Sequence, residues 1–280
     1  MPDEAVSEQQ EQSPLFKAWF GGSAVVDEQG QPRVVYHGTA SKFEAFKTQS
    51  WFAEDPRSAT VFIGGGRRSN ARIREGSALM PVYLAIRNPL DLSKHSVQDS
   101  MTLRQLLEKA GANDADMDKC LDIMEASSLE WWDAVQADPK QAAMWNFGHR
   151  TPGQRGMSAQ PRTLRDRLND SGPVWMHLDS KEVMEVLRAM GFDGIKTRES
   201  VRYNPNLAEG KRLNRKLDEN VSNTTWMAFN PEQIKSATGN GGQFDPEDPR
   251  ICFKRASEPN GKEDAPADEL EEDVPAAPCF

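Results

Sequence analysis

His37-Gly38-Thr39, the aromatic residues Trp51 and Phe62, and the late pair Glu232-Gln233 are the residues of this chain whose types could do chemistry together. An imidazole donates or accepts a hydrogen bond according to its tautomer, and a glycine admits a close neighbour to the backbone. Flat aromatic rings offer stacking faces, and a carboxylate beside an amide supplies charge and hydrogen bonds at adjoining positions. None of these is specific alone. A single histidine on a strand edge is more often structural than catalytic, and Trp51 and Phe62 would pass for core aromatics.

The elements that must hold these residues can be read from local pattern. Val25-Val26-Asp27 and Arg33-Val34-Val35-Tyr36 flank Glu28-Gln29-Gly30-Gln31-Pro32, which predicts a hairpin with His37 at a strand end. Phe43 and Phe46 are spaced as on a short helical turn, Trp51-Phe52-Ala53 reads as a brief strand, and Asp55-Pro56 opens a helix that Gly64-Gly65-Gly66 ends. Met80 to Ile86 alternates as a strand stopped by Asn88-Pro89. From about Thr102 to Leu168 the spacing of Leu103, Leu106, Leu107, Met117, Cys120, Leu121 and Met124 is helical, and Trp131, Trp132 and Trp145 are read as anchors of that insertion. A helix over Ser180 to Met190 leads through Gly191-Phe192-Asp193-Gly194 to a short strand at Ile195-Lys196. Two further strands, Thr224 to Phe229 and Gln233 to Ala237, are separated by Asn230-Pro231. Short strands with helices between them predict an α+β fold with a helical insertion over about 95–190. The domain is expected over 15–254, between a disordered 1–14 and an acidic, disordered 255–280.

Composition narrows the class. With 37% hydrophobic and 28% charged residues the chain is ordinary for a soluble protein, and no apolar run approaches the ~18 residues that would span a bilayer. No membrane partner is expected. A formal charge of -9 argues against tight sequence-independent binding to a phosphate backbone, although Arg67-Arg68-Arg72-Arg74, Arg150 to Arg167 and Lys211 to Lys216 form local basic stretches. Cys120, Cys252 and Cys279 have unrelated spacings, which reads as three ordinary thiols in a cytoplasmic protein and gives no metal quartet. Gly64-Gly65-Gly66 lacks both the dinucleotide fingerprint and the P-loop pattern.

Order and local context add more than any single block. Phe16 to Gly21, Val34 to Thr39, Trp51-Phe52-Ala53-Glu54-Asp55-Pro56 with Ser58-Ala59, Pro81 to Leu84 and Asn88 to Leu92 form the first part of a colinear set. It continues with Gly191 to Ile195, Phe229-Asn230-Pro231-Glu232-Gln233-Ile234-Lys235-Ser236-Ala237 and Phe244-Asp245-Pro246. In this the chain resembles the ADP-ribosyltransferase superfamily, its His-Tyr-Glu-like branch, and in particular the ADP-ribosyltransferase-like domains of phage and mobile-element polyvalent proteins.

The resemblance implies a split β-sheet core and NAD⁺ as substrate, with no metal. It implies that Gly38 offers its backbone to the nicotinamide carboxamide, His37 bonds a ribose hydroxyl, Thr39 supports it, and Trp51 and Phe62 wall the planar cation. Tyr36, Phe52 and Ser58 fall in the same cofactor-binding stretches. Trp51 stands where related enzymes place a tyrosine, so stacking is kept and the phenol lost. A carboxylate beside the ribose would stabilise an oxocarbenium-like state, and either Glu232 or Gln233 is implied there, with Glu232→Gln expected to lower turnover by orders of magnitude. The function implied is mono-ADP-ribosyl transfer to a macromolecule by a phage or mobile-element effector in the host cytosol. A host protein is the leading acceptor and nucleic acid the second. The alternatives are an NAD⁺ glycohydrolase and a non-catalytic NAD⁺ or ADP-ribose binding module.

Overall fold

The computed structural model describes residues 11–63, 76–137, 168–169, 171–208, 211, 214–240 and 244–252. They fall into two compact units, Met1–Asp91 together with Asp193–Phe280, and Leu92–Phe192. Most of both ends expected to be disordered, residues 1–10 and 253–280, lies outside the described residues, as do Trp145 and the Arg67–Arg74 and Arg150–Arg167 stretches. Glu11 is an exception to the expectation for 1–14, because its carboxylate accepts a 2.6 Å hydrogen bond from the fully buried Tyr83. A buried phenol needs such a partner.

The first unit is built on a sheet. Helix α1 (Pro14–Phe20) starts on a proline whose missing N–H costs nothing in the first turn, and it buries Phe16, Trp19 and Phe20 at i, i+3 and i+4. The strands are β1 (Val35–Thr39), β2 (Ser50–Ala53), β3 (Ala78–Leu84), β7 (Gly194–Tyr203), β8 (Glu219–Ala228) and β9 (Ile234–Ser236), with helix α2 (Pro56–Thr60) between β2 and β3. Strand β4 (Pro89–Ser96) begins in this unit and carries the chain into the other. Within the first unit the order is β7-β8-β2-β1-β3-β9.

Residues paired across antiparallel strands share a face. One face therefore gathers Val35, Phe52, Met80, Val82, Leu84, Trp226, Ala228 and Ile234 into a core with Val25, Phe46 and Ile251. On the other, Tyr83, Ala85 and Ala237 pack against α1 and Phe244.

Three local expectations are corrected. The hairpin at Val25 to Tyr36 is reduced to a single bridge, Val26↔Pro32, because Asp27 turns the chain by accepting from the amides of Gln29 and Gln31. Ser41 to Phe46 is not helical: Ala45 bridges Arg250 instead. The short strand at Ile195-Lys196 is ten residues long and pairs with β8 from Gly194↔Ala228 to Tyr203↔Glu219. Polar residues on both of its faces hide its period from the sequence.

The second unit contains β5 (Ser100–Thr102) paired with β6 (Ser171–Pro173), and helices α3 (Leu103–Lys109), α4 (Asp114–Ala137), α5 (Val174–Leu178) and α6 (Lys181–Ala189). Thr102 and Gln105 close a capping box on α3. Leu103, Leu106, Leu107, Met117, Cys120 and Met124 are buried, together with Val183, Met184, Val186 and Leu187 of α6. Among the described residues no helix is long and apolar enough to cross a membrane.

Candidate functional site

The sheet is split between its two central strands. β1 pairs with β3 over Val35 to Thr39 and β2 pairs with β8 over Ser50 to Ala53, yet β1 meets β2 at a single pair, Tyr36↔Ala53. Beyond that pair the half-sheets β1-β3-β9 and β2-β8-β7 part. His37 stands where they do so, its Nδ1 2.8 Å from the carbonyl oxygen of Trp51 on the opposite lip.

That contact determines the tautomer. A carbonyl only accepts, so Nδ1 carries the hydrogen and Nε2 of the neutral ring is left as an acceptor. The ring is kept neutral by burial, which lowers its pKa from the usual 6.5 against the opposing effect of the Trp51 carbonyl. Phe46, Phe52 and Phe43 surround it at ring distances of 4.9, 5.5 and 6.2 Å. Phe52, almost fully buried, thus belongs to the wall around the histidine rather than to an open surface.

Gly38, on the same lip, is where helix α2 meets the sheet. A Cβ placed on Gly38 would lie 1.9 Å from the Ala59 carbonyl oxygen and 3.3 Å from the Phe62 Cβ. Only glycine allows that approach. Helix α2 starts on Asp55, whose carboxylate caps the Arg57 amide at 2.8 Å and is held below the usual carboxylate range by the Arg57 guanidinium. Asn223 of β8 fastens the helix from the other side, donating to Ser58 Oγ at 2.7 Å and accepting from the Asp55 amide at 3.3 Å. Helix α2 therefore touches β1 at Gly38 and β8 at Asn223, on either side of the split. The sequence reading missed Asn223, whose only signal is an amide between two hydroxyl residues on a strand.

The structure thus brings the main chains of His37, Gly38 and Trp51 together at the split, with the His37 ring on the Phe52 face of the sheet and Gly38, Trp51 and Phe62 on the other. Trp51 is half-buried on the β2 lip, and Phe62, 49% exposed, stands over Gly38. Tyr36 sits at the closed end of the split, its pKa raised by burial and by the Asp55 charge. Thr39 and Ser58 are already engaged: the Thr39 hydroxyl donates to the Ser41 carbonyl and accepts from the Ser41 amide, and Ser58 is fully buried against Asn223. Gly38→Ala is expected to cost about 1–3 kcal/mol, the usual range for overpacking, because the added methyl meets backbone and not a movable side chain. Urea unfolding measures it; an unchanged midpoint would mean α2 does not press on β1.

Glu232 and Gln233 are not brought there, which corrects the expectation that one of them faces the pocket. Both lie in a 3-10 turn, Pro231–Gln233, that leads into β9 at the far edge of one half-sheet. His37 is opposite Met80 and Ile234 opposite Leu84, so Ile234 already lies about 13 Å away along the strand direction at ~3.3 Å per residue, and the turn that holds Glu232 is beyond it. Gln233 is a structural peg. Its Oε1 accepts from the amides of Phe229 and Asn230 at 3.1 and 2.8 Å, and its Nε2 donates to the carbonyls of Ala85 and Asp193 at 3.2 and 2.9 Å. The Glu232 carbonyl receives Trp19 Nε1 at 3.0 Å. The strand beside β2 is β8, and from Asn220 to Ala228 it carries no acid.

The neighbouring blocks are structural as well. The Asp193 carboxylate accepts from the amides of Arg87 and Asn88, and a Cβ on Gly194 would fall 2.5 Å from Ile86. Cys120 is a buried free thiol, and Cys279 lies outside the described residues. Among the described residues no group of His, Cys, Asp and Glu is placed to hold a metal ion.

The comparisons with known proteins agree with this architecture. No curated protein and no solved structure matches the chain. A family model described as "ADP-Ribosyltransferase in polyvalent proteins" matches residues 27–244, a span that takes in both lips of the split, α2, β8 and the Gln233 peg. Since that match covers well over half of the sequence, the chain belongs to the ADP-ribosyltransferase family of polyvalent proteins.

Proposed function

We propose that this protein binds NAD⁺ at the split between β1 and β2 and transfers its ADP-ribose to a macromolecular acceptor, releasing nicotinamide. The observation that carries the reading is the opening of the sheet after Tyr36↔Ala53, with the neutral His37 ring, an acceptor at Nε2, on one face of the opening and Gly38, Trp51 and Phe62 on the other. A ribose hydroxyl needs an acceptor of that kind, and the planar nicotinamide cation needs flat apolar faces such as Trp51 and Phe62 provide. NAD⁺ is the substrate of the family. A single ADP-ribose per acceptor, a host protein as that acceptor, and an effector role for a phage or mobile element in the host cytosol complete the proposal.

One observation favours a second reading, NAD⁺ bound without turnover. The acid expected to stabilise the oxocarbenium-like state is on the far edge of the sheet, and β8 offers none beside β2. Labelled NAD⁺ with and without host lysate separates the possibilities. Nicotinamide release with label on a lysate component supports transfer, release without label is hydrolysis, and binding without release selects the second reading. Glu232→Gln is expected to change NAD⁺ affinity and nicotinamide release by less than about twofold, since surface changes away from special features are usually within ~0.5 kcal/mol. A loss beyond tenfold would place that carboxylate at the reacting bond.

A further inference from the structure

A short segment at the end of the described chain, Phe244–Cys252, runs across the edge of the sheet as a strap. Lys235 of β9 is its fastening. This lysine is 2% exposed, and its ammonium donates to the carbonyls of Asp248 and of Arg250, the latter at 3.1 Å. A buried ammonium needs such acceptors. The strap is stiffened by its own fork, Arg250 Nε and Nη2 donating to the Asp248 carboxylate at 2.9 and 2.6 Å.

Beyond the fork, Ile251 bridges two parts of the first unit. Its carbonyl accepts from the Ser236 amide and its amide donates to the Glu44 carbonyl, both at 2.9 Å, while its side chain is buried in the core with Phe46 and Phe52. Arg250 bridges Ala45 next to it. The loop held in this way is the one that carries Phe43 and Phe46, and Phe46 stands edge-on to the His37 ring at 4.9 Å. The main-chain bonds of Glu44 and Ala45 that tie that loop to β9 run through Ile251 and Arg250.

We propose that the Phe244–Cys252 strap, fastened by Lys235, is the element that holds Phe46 against His37, so that Lys235 is a positioning residue for the split although it touches none of it. The inference rests on the reading of that split as the NAD⁺ site. It explains why a lysine stands buried in the run Gln233 to Ala237 on β9, away from the split. Removing the ammonium frees the strap, the Phe43–Phe46 loop loosens, and the imidazole is no longer held in one orientation toward the Trp51 carbonyl.

The test is the ring-nitrogen chemical shifts of His37, recorded without NAD⁺, in the full chain and in three variants. Lys235→Met keeps the length of the side chain and removes its donors. Ile251→Val removes one methylene from the strap and keeps the result readable should Lys235→Met fail to fold. Tyr83→Phe alters the residue directly opposite Lys235 on β3 and removes only the hydroxyl that donates to Glu11, leaving the bonds of the strap to Lys235, Ser236 and Glu44 in place. The expected result is a single Nδ1–H tautomer in the wild type and in Tyr83→Phe, a mixture of tautomers in the two strap variants, and NAD⁺ affinity about tenfold lower in Lys235→Met. Unchanged ring signals in both strap variants overturn the proposal, and so does an equal change in Tyr83→Phe. If the signals move as expected and even the wild type does not bind NAD⁺, the positioning stands and the substrate reading falls.

Discussion

Replacing Gln233 by leucine is expected to destabilise the protein by about 2–4 kcal/mol, because it takes a hydrogen-bond partner from two buried and two part-buried backbone groups at once. Each buried donor or acceptor left unsatisfied costs roughly 1–3 kcal/mol, and relaxation of the Asn230 turn recovers part of the sum. The apolar gain from leucine does not offset it, since the cavity is lined by amides and carbonyls. Urea denaturation, read as a shift in midpoint at constant slope, measures the effect. The same variant should leave NAD⁺ affinity of the folded fraction near that of the wild type, since Gln233 is far from the split. A loss of stability below ~1 kcal/mol would show that the amide is not the peg its hydrogen bonds suggest.

The second large effect is expected at His37. Removal of the imidazole by His37→Ala takes away both the acceptor at Nε2 and the donor that occupies the Trp51 carbonyl, and it opens a gap among Phe43, Phe46 and Phe52. A ribose hydroxyl left without its acceptor costs roughly 1–3 kcal/mol, which predicts a fall in NAD⁺ affinity of about 5- to 150-fold, measurable by calorimetry. His37→Asn separates the two roles: its amide can still donate to Trp51, but nothing replaces Nε2. If His37→Asn binds NAD⁺ as the wild type does, the ribose contact assigned to Nε2 is wrong.

The pH dependence follows from the same ring. Its folded pKa lies below the ordinary 6.5, with desolvation as the main cause. Above 6.5 the imidazole is neutral in both folded and unfolded chain, and its contribution to stability is fully present. As the pH falls below 6.5 toward the folded value, the unfolded chain takes up the proton first and that contribution is lost. NAD⁺ affinity should decline lower still, at the folded pKa, because a proton on Nε2 removes the acceptor and sets a cation beside the nicotinamide. His37→Ala should flatten this decline, and an affinity still falling with the same midpoint would assign it to another group.

Much of the fold was legible because it is written in local periodicity. The alternation of Met80 to Ile86, the helical spacing of Leu103, Leu106 and Leu107, and the proline that opens α2 each report on their nearest neighbours in the chain, and each is an element of the structure. β7 was read as two residues in place of ten because beyond Ile195 both of its faces carry polar residues, Lys196, Arg198, Ser200 and Arg202 on one and Thr197 and Glu199 on the other, so that no alternation shows. The lips of the split were legible too, since Gly38 and the aromatic residues sit in blocks shared with a known family. Gln233 belongs to a shared block as well, but its polarity was read as chemistry when its hydrogen bonds are spent on backbone.

By itself the sequence determined the strongly periodic strands and helices, such as β3 and α3, many of the residues that face a core, and the family to which the chain belongs. Only the tertiary structure decided that β8 and not β9 lies beside β2, that the sheet parts after Tyr36↔Ala53, and that His37 presents Nε2 as its acceptor. The reason is the reach of the interactions. Periodicity is set over a few residues, whereas strand order depends on pairings such as Trp226 with Glu54, 172 positions apart, whose favourable energy appears only once the whole sheet has closed.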